Sequence, residues 1–272
     1  MNGISLHSVV PVRTEAREGA EQCTQMLFGE LCVVLEEQPR WKRIKLESDG
    51  QEGWVDAKMI CPMKSEEFVL YKQAYQSAAM VVFPMVYAVS ENNSQTIPLT
   101  AGTRLPNYKD GRFELLGAGC RIDPMYVAEK PFAMSQQKLF EVVRFWLNVP
   151  YLWGGKNAMG IDCSGFTQVI MSLFGKRLLR NASEQATQGR KISDLSKAQA
   201  GDLVFFDHQG LNDGVADPSH ISHVGIVIDS ERVIHCSGRV KVEKLARRAS
   251  GDIYILSAEG LYTHHLAAIR RL

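Results

Sequence analysis

The sequence predicts an α+β protein in which two small β-barrels precede a domain that runs from helices into a sheet. Three observations carry that expectation. Short apolar runs separated by turn residues fill positions 1–62, and a weaker β pattern follows over 66–128. From residue 129 the apolar spacing becomes helical and then returns to strands. At 272 residues and 45% apolar composition, the chain is long enough for two or three domains and for a core that needs no staples.

In the first segment, 1–62, the runs Val9-Val10, Met26-Leu27-Phe28, Leu31 to Leu35, Trp41 to Leu46 and Gly53 to Asp56 read as strands. Trp41 to Leu46 leads through Asp49-Gly50 to Gly53-Trp54-Val55, a hairpin signal. Strands this short and this regular suggest a small barrel. The second segment, 66–128, reads as a degraded copy. Leu27 to Leu31 and Leu99 to Thr103 each stand about a dozen residues before an aromatic, Trp41 and Phe113. An unrelated β segment is the alternative. In the third segment, 129–272, Ser135 can cap a helix whose apolar face is Leu139, Val142, Val143, Trp146 and Leu147, stopped by Pro150. A second helix fits 163–174, with Phe166, Val169, Ile170, Leu173 and Phe174 on one face. Strands are expected at Leu203 to Phe206, His223 to Ile228, Val233 to His235, Ile253 to Ser257 and Ala267 to Ile269.

Composition excludes several function classes. Lys plus Arg is 31 against 30 Asp plus Glu, so there is no basic surplus for nucleic acid or an anionic membrane. No run approaches the ~18 apolar residues of a membrane span. The longest, Ala78 to Val89, is broken by Pro84. Met1 to Arg13 lacks the basic start and apolar run of a signal peptide. The expectation is therefore a cytoplasmic protein if Met1 is the native start, or an exported one whose leader was removed. The six cysteines include no C-x-x-C pair, so neither a disulfide framework nor a zinc site is expected.

One cysteine stands apart. Cys163 lies in Gly160-Ile161-Asp162-Cys163-Ser164-Gly165-Phe166, at the start of an amphipathic helix. The unpaired N–H groups and dipole of a helix N-terminus favour thiolate over thiol, and small Ser164 and Gly165 leave room for a substrate. A nucleophile needs a base, and the base an orienting partner. His223 opens an apolar strand, and His235 closes the next one after the short Asp229 to Arg232 turn. Antiparallel pairing would set the two imidazoles side by side. His220 could be the base instead, but it lies outside the apolar strand. The three histidines lack a carboxylate or cysteine at ligand spacing, so neither metal nor cofactor is expected. His264-His265 reads as an exposed pair, Cys236 as a buried thiol on the opposite face from His235, and Asp162 at least as a helix cap. The polar stretch from Asp207 to Ser219 could be a cleft wall or a loop insertion.

Asp162-Cys163-Ser164-Gly165-Phe166, Gly201 to Phe206, Ser222-His223-Val224-Gly225-Ile226 and Ile234-His235 resemble the successive blocks of the NlpC/P60 cysteine peptidases, as does Tyr151-Leu152-Trp153-Gly154-Gly155 ahead of them. The match covers about 130–272, and Phe28-Gly29-Glu30 with Gly53-Trp54-Val55 resembles bacterial SH3 domains. The resemblance implies a papain-like NlpC/P60 domain after two SH3-like barrels. It implies Cys163 as nucleophile, His223 as base and His235 as third member. Asp162 and Ser164 would bind a free N-terminal L-Ala, Tyr151, Trp153 and Ser183 would line the cleft, and Glu30 would add an acidic group from the first SH3 domain. The implied activity is hydrolysis of the γ-D-Glu–L-diamino acid bond of murein peptides in cell-wall recycling. A blocked amine, leaving Asp162 and Glu30 unpaired, would be rejected roughly a hundredfold or more. A papain-like acyltransferase and a non-catalytic wall-binding protein are the rival readings.

Overall fold

The computed structural model describes residues 1–207 and 220–272. Apart from Asp207, the candidate cleft wall through Ser219 lies outside the described residues. The chain divides into two compact units: Met1–Phe132 with Trp153–Ala158, and Ala133–Leu152 with Met159–Leu272.

The first unit opens with β1 (Asn2–Ile4), β2 (Val9–Arg13), β3 (Gln22–Leu27), β4 (Leu31–Glu37), β5 (Trp41–Leu46), β6 (Glu52–Asp56) and β7 (Cys61–Met63). They form one sheet in the order β3-β2-β6-β5-β4-β1-β7. Period-two alternation dictates which side chains go inside: Val10, Val12, Met26, Ile44, Leu46 and Val55 make a continuous core. The β5–β6 hairpin pairs Ile44 with Gly53 and Arg43 with Trp54, around the Asp49-Gly50 turn.

The second segment departs from an all-β reading at its start, where α1 spans Ser65–Gln76. Only Phe68 of this helix is buried, while Val69 and Leu70 are exposed. Such a helix shows little apolar periodicity. After it come β8 (Ala79–Val81), β9 (Met85–Ser90), β10 (Thr96–Thr100), β11 (Arg104–Leu105), β12 (Arg112–Leu115), β13 (Ala118–Arg121) and β14 (Val127–Ala128). They form a sheet β10-β9-β13-β12 and a sheet β11-β8-β14. Their core joins Val81, Val86, Leu99, Leu105 and Phe113 to Phe28 and Leu31 of the first segment, with Phe68 of α1 among them. The short β15 (Lys156–Asn157) belongs to this unit too.

In the second unit Ser135 caps α2 (Gln136–Val143), its hydroxyl accepting from the Lys138 amide at 3.1 Å. After the short β16 (Gly160–Ile161), α3 (Cys163–Leu173) and α4 (Ala182–Gln185) precede β17 (Arg190–Lys191). Then come β18 (Leu203–Asp207), β19 (Ile221–Val227), β20 (Arg232–Ser237), β21 (Arg239–Arg247), β22 (Ile253–Leu256) and β23 (Tyr262–Arg271). Each of these pairs with the next, and β23 also returns to β18, so six strands close into a barrel. Val204, Phe206, Val227, Val233, Leu245, Ile255 and Ile269 cluster inside it, and α3 packs outside on β19 and β20. Closure corrects two expectations. An additional long strand, β21, completes the ring, and the His264-His265 pair lies buried within β23 rather than exposed before it.

Candidate active site

Asp162 ends the extended approach to α3 and caps the helix, its Oδ1 accepting from the Gly165 amide at 2.6 Å. The cap also anchors the buried Arg180, which donates to Oδ1 at 3.1 Å and to Oδ2 at 2.5 Å. Arg180 donates to the Ser164 hydroxyl at 2.8 Å, and that hydroxyl donates to Asp162 Oδ1 at 3.2 Å. Oδ1 therefore takes three donors, and the first turn of α3 is pinned on both sides of Cys163. Gln185 of α4 ties in as well, donating to the Ser164 carbonyl at 3.0 Å and accepting from Thr167 at 2.7 Å.

Cys163 is buried at the head of α3, and the Val224 amide, next in the chain to His223, hydrogen-bonds its sulfur. Burial pushes the thiol up to about 12, and the Asp162 charge pushes the same way; Val224, Arg180 and the Ser164 amide oppose them without prevailing. Burial and the Asp162 charge thus favour the thiol, against the thiolate that a helix start alone suggests. Here burial and an adjacent carboxylate outweigh the dipole. Cys236, whose Sγ lies 3.1 Å from the Ile161 carbonyl, is likewise raised to about 12 by burial.

The register of β19 and β20 sets Gly225 opposite His235, so His223 and His235 project from the same face. A Cβ at Gly225 would stand 2.5 Å from Val233 Cγ2 and 3.1 Å from His235 Cβ, so only glycine leaves His235 room. His223 Nε2 meets His235 Nδ1 at 2.8 Å, and His235 Nε2 meets Glu243 Oε2 at 2.8 Å. Lys241 Nζ lies 3.1 Å from Glu243 Oε1. Burial lowers the pKa of the fully enclosed His235 despite Glu243 beside it, so its neutral form is favoured. Burial pushes Glu243 upward, but the bonds from His235 and Lys241 more than offset it, and the carboxyl sits below the ordinary glutamate range. The His264 ring lies against His223, centroids 4.4 Å apart and tilted by 38°, and its Nδ1 meets Thr263 Oγ1 at 2.8 Å. His220 is exposed ahead of β19.

The remaining sequence candidates divide between the units. Tyr151 is half-buried, burial raises its phenol, and its backbone bridges to Ile161, two residues ahead of Cys163. Ser183 is exposed on α4, which packs against α3 and β19. Trp153 and Glu30 belong to the first unit. Trp153 is exposed, and its carbonyl accepts from Gln22 at 3.0 Å. Glu30 is buried, accepts from the Leu27 amide at 2.8 Å and pairs with Lys156 at 3.4 Å. Neither Asp162 nor Glu30 is left without a partner in the unliganded chain, which corrects the premise of a hundredfold penalty. Sequence reasoning missed Arg180, Glu243 and His264. The Ser237-Gly238 turn signal followed by Val240 and Val242 marks the strand that carries Glu243.

A buried thiol at a helix start, beside a strand that carries a histidine bonded to a second histidine, defines a cysteine peptidase. Residues 148–258 match the NlpC/P60 family, and residues 12–60 match the bacterial dipeptidyl-peptidase SH3 domain. The chain carries an NlpC/P60 peptidase domain and, ahead of it, a bacterial SH3 domain. It is 28% identical over 265 residues to a gamma-D-glutamyl-L-lysine dipeptidyl-peptidase of Bacillus subtilis, covering 91% of this chain and 80% of that protein. A protein of the same name from Bacillus cereus is 24% identical over 232 residues, covering 78% of this chain and 66% of its own. The crystal structure of an NlpC/P60 family protein from Bacillus cereus superimposes with a TM-score of 0.78 at 19% identity, over 100% of this chain and 99% of that one.

Proposed function

We propose that the protein hydrolyses the γ-D-Glu–L-diamino acid bond of peptidoglycan stem peptides and releases L-Ala-γ-D-Glu. The observation that carries this reading is the 265-residue similarity to the Bacillus subtilis dipeptidyl-peptidase, which spans both units and includes the Cys163, His223 and His235 region. Cys163 is the nucleophile, His223 the general base and His235 its orienting partner.

With the thiol as resting form, His223 takes its proton as the sulfur attacks the γ-carbonyl. The S–C bond forms, and the oxyanion collects at the start of α3 beside the Cys163 N–H, the Gly165 N–H being held by Asp162. Collapse breaks the C–N bond, and His223 returns the proton to the leaving amine. Water then attacks the thioester through the same imidazole, freeing the dipeptide and restoring the thiol. Tyr151 and Ser183 are proposed to line the cleft, and Asp162 and Ser164 to hold the peptide's amino end. The segments 1–62 and 66–128 are proposed as two SH3-like domains before a catalytic domain at 129–272. A preference for free peptides would suit recycling of wall fragments inside the cell.

The test is incubation with L-Ala-γ-D-Glu-L-Lys and with its diaminopimelate counterpart, followed by mass spectrometry. Appearance of L-Ala-γ-D-Glu from either is expected. If both peptides survive while a D,L-cross-linked or α-linked peptide is cut, the substrate assignment is wrong.

A further inference from the structure

The His223–His235 bond requires one ring to donate and the other to accept, and nothing within the pair decides which. Two assignments exist for neutral rings. In the first, His235 carries its proton on Nε2 and accepts at Nδ1 from His223 Nε2–H. His223 Nδ1 then keeps a lone pair and can take the proton of Cys163. In the second, His235 Nδ1–H donates to His223 Nε2, His223 Nδ1 is already protonated, and the base is disabled. The two assignments differ only in where protons lie, so the pair needs an outside reference.

Glu243 supplies that reference. Its Oε2 stands 2.8 Å from His235 Nε2, inside the barrel on the face that β20 and β21 share, where Val233 faces Glu243 across the ladder. A carboxylate only accepts, so a bare Nε2 would oppose two lone pairs across this short gap in a buried setting. We propose that Glu243 is a positioning residue of the peptidase: it fixes the tautomers of both His235 and His223 and so keeps His223 Nδ1 available as the base. The site is thereby a relay of four groups, Cys163, His223, His235 and Glu243. Lys241 closes it on the far side at 3.1 Å from Oε1, which holds the carboxylate in place and charged. The groups around the relay are Lys241 on the same strand, Glu259 from the turn between β22 and β23, and His264 on β23, whose ring is 5.8 Å from that of His235. Among these, Glu243 is the acceptor bonded to His235 Nε2. The inference rests on the cysteine-peptidase chemistry and is independent of which peptide is cut.

The decisive substitution is Glu243→Gln. It keeps size and hydrogen bonding, but Lys241 on the far side takes the amide oxygen and turns the amide nitrogen toward His235 Nε2, which favours the tautomer that disables the base. Ring-nitrogen NMR shifts read the outcome without substrate. The wild type should show His223 protonated on Nε2 alone, and the variant mainly on Nδ1. Alkylation of Cys163 by iodoacetamide, followed by peptide mapping at neutral pH, should slow about ten- to a hundredfold, because wrong-tautomer imidazole cannot take the thiol proton. Where the tripeptide is a substrate, kcat should fall by a similar factor with KM within about twofold. Glu243→Leu, a second variant that removes the acceptor altogether, should populate both tautomers, with any loss of fold read separately by circular dichroism. A Gln variant with an unchanged His223 tautomer, or with alkylation within twofold of wild type, overturns the proposal. Failure of the wild type on every tripeptide would count against the substrate assignment and leave these two readouts intact.

Discussion

Two buried polar networks border Cys163, and they are built for opposite purposes. On the α3 side, Asp162, Ser164 and Arg180 form a closed ionic cluster, with bonds of 2.5 to 3.2 Å and a guanidinium that never gives up its charge. On the barrel side, His223, His235 and Glu243 form an open chain of ring nitrogens whose protons can be redistributed. The first network fixes where the nucleophile is. The second decides whether it can lose a proton. One consequence is that damage to the first should appear mainly as instability, and damage to the second mainly as lost turnover.

The largest effect tests the movable side. His223→Ala should cost about a thousandfold or more in kcat/KM, and Cys163→Ala should leave no measurable rate, because members of one catalytic unit fail together. Both variants should melt within a few degrees of the wild type, whereas His220→Ala should stay within about twofold in rate. If His220→Ala proves the more damaging histidine change, the base has been misassigned.

The ionic side is broken by Arg180→Met, which strands the Asp162 carboxylate beside a thiol. Removing one partner of such a pair typically costs about 3–5 kcal/mol. The urea midpoint should fall accordingly, while the double variant Asp162→Asn/Arg180→Met should recover part of the loss. A single variant as stable as the wild type would mean the pair adds nothing to the fold.

A smaller effect separates the networks by pH. Burial lowers the pKa of His235 in the folded chain, so below its unfolded value of about 6.5 the unfolded chain binds a proton that the folded chain does not. Stability should therefore fall as pH drops through that point, by at most about 1.4 kcal/mol per unit from this group. Glu243, also lowered in the fold, adds loss in the same direction only below about 4.3. Urea unfolding at pH 7.5 and 5.5 should show a steeper decline for the wild type than for His235→Asn. Parallel declines would show that His235 charges equally well in both states.

Residues made these two networks unequally legible. The Cys163 helix, the His223 and His235 strands and their antiparallel approach follow from apolar spacing, because α3 and the barrel strands are amphipathic or wholly apolar. Glu243 was hidden because β21 carries charge at both faces near the barrel mouth, so Arg239 to Arg247 lacks clean alternation. Arg180 was hidden because a buried arginine looks like any surface charge until its carboxylate is located. The helix α1 was hidden for the opposite reason: with Phe68 its sole buried residue, packing asks for almost no pattern. His264 and His265 gave a polar signal in a strand whose enclosure comes from barrel closure, a long-range event.

The smallest expected effect concerns the amino end of the substrate. Asp162, the carboxylate proposed to meet an L-Ala ammonium, already has a cation of its own. Its Oδ1 accepts from Gly165, Ser164 and Arg180, so an added ammonium would meet Oδ2, itself bonded to Arg180. A blocked amine therefore does not strand Asp162, and the large penalty for an unpaired buried charge does not arise. What remains is the attraction of one more cation to a carboxylate that Arg180 partly neutralises, worth about 1 kcal/mol or a little more. The expected ratio of kcat/KM between L-Ala-γ-D-Glu-L-Lys and its N-acetyl form is thus about tenfold, carried mainly by KM. Asp162→Asn should shrink that ratio toward one, once corrected for folded protein. A hundredfold ratio would show that substrate binding displaces Arg180 and bares the carboxylate. Equal rates would remove Asp162 from recognition of the amino end.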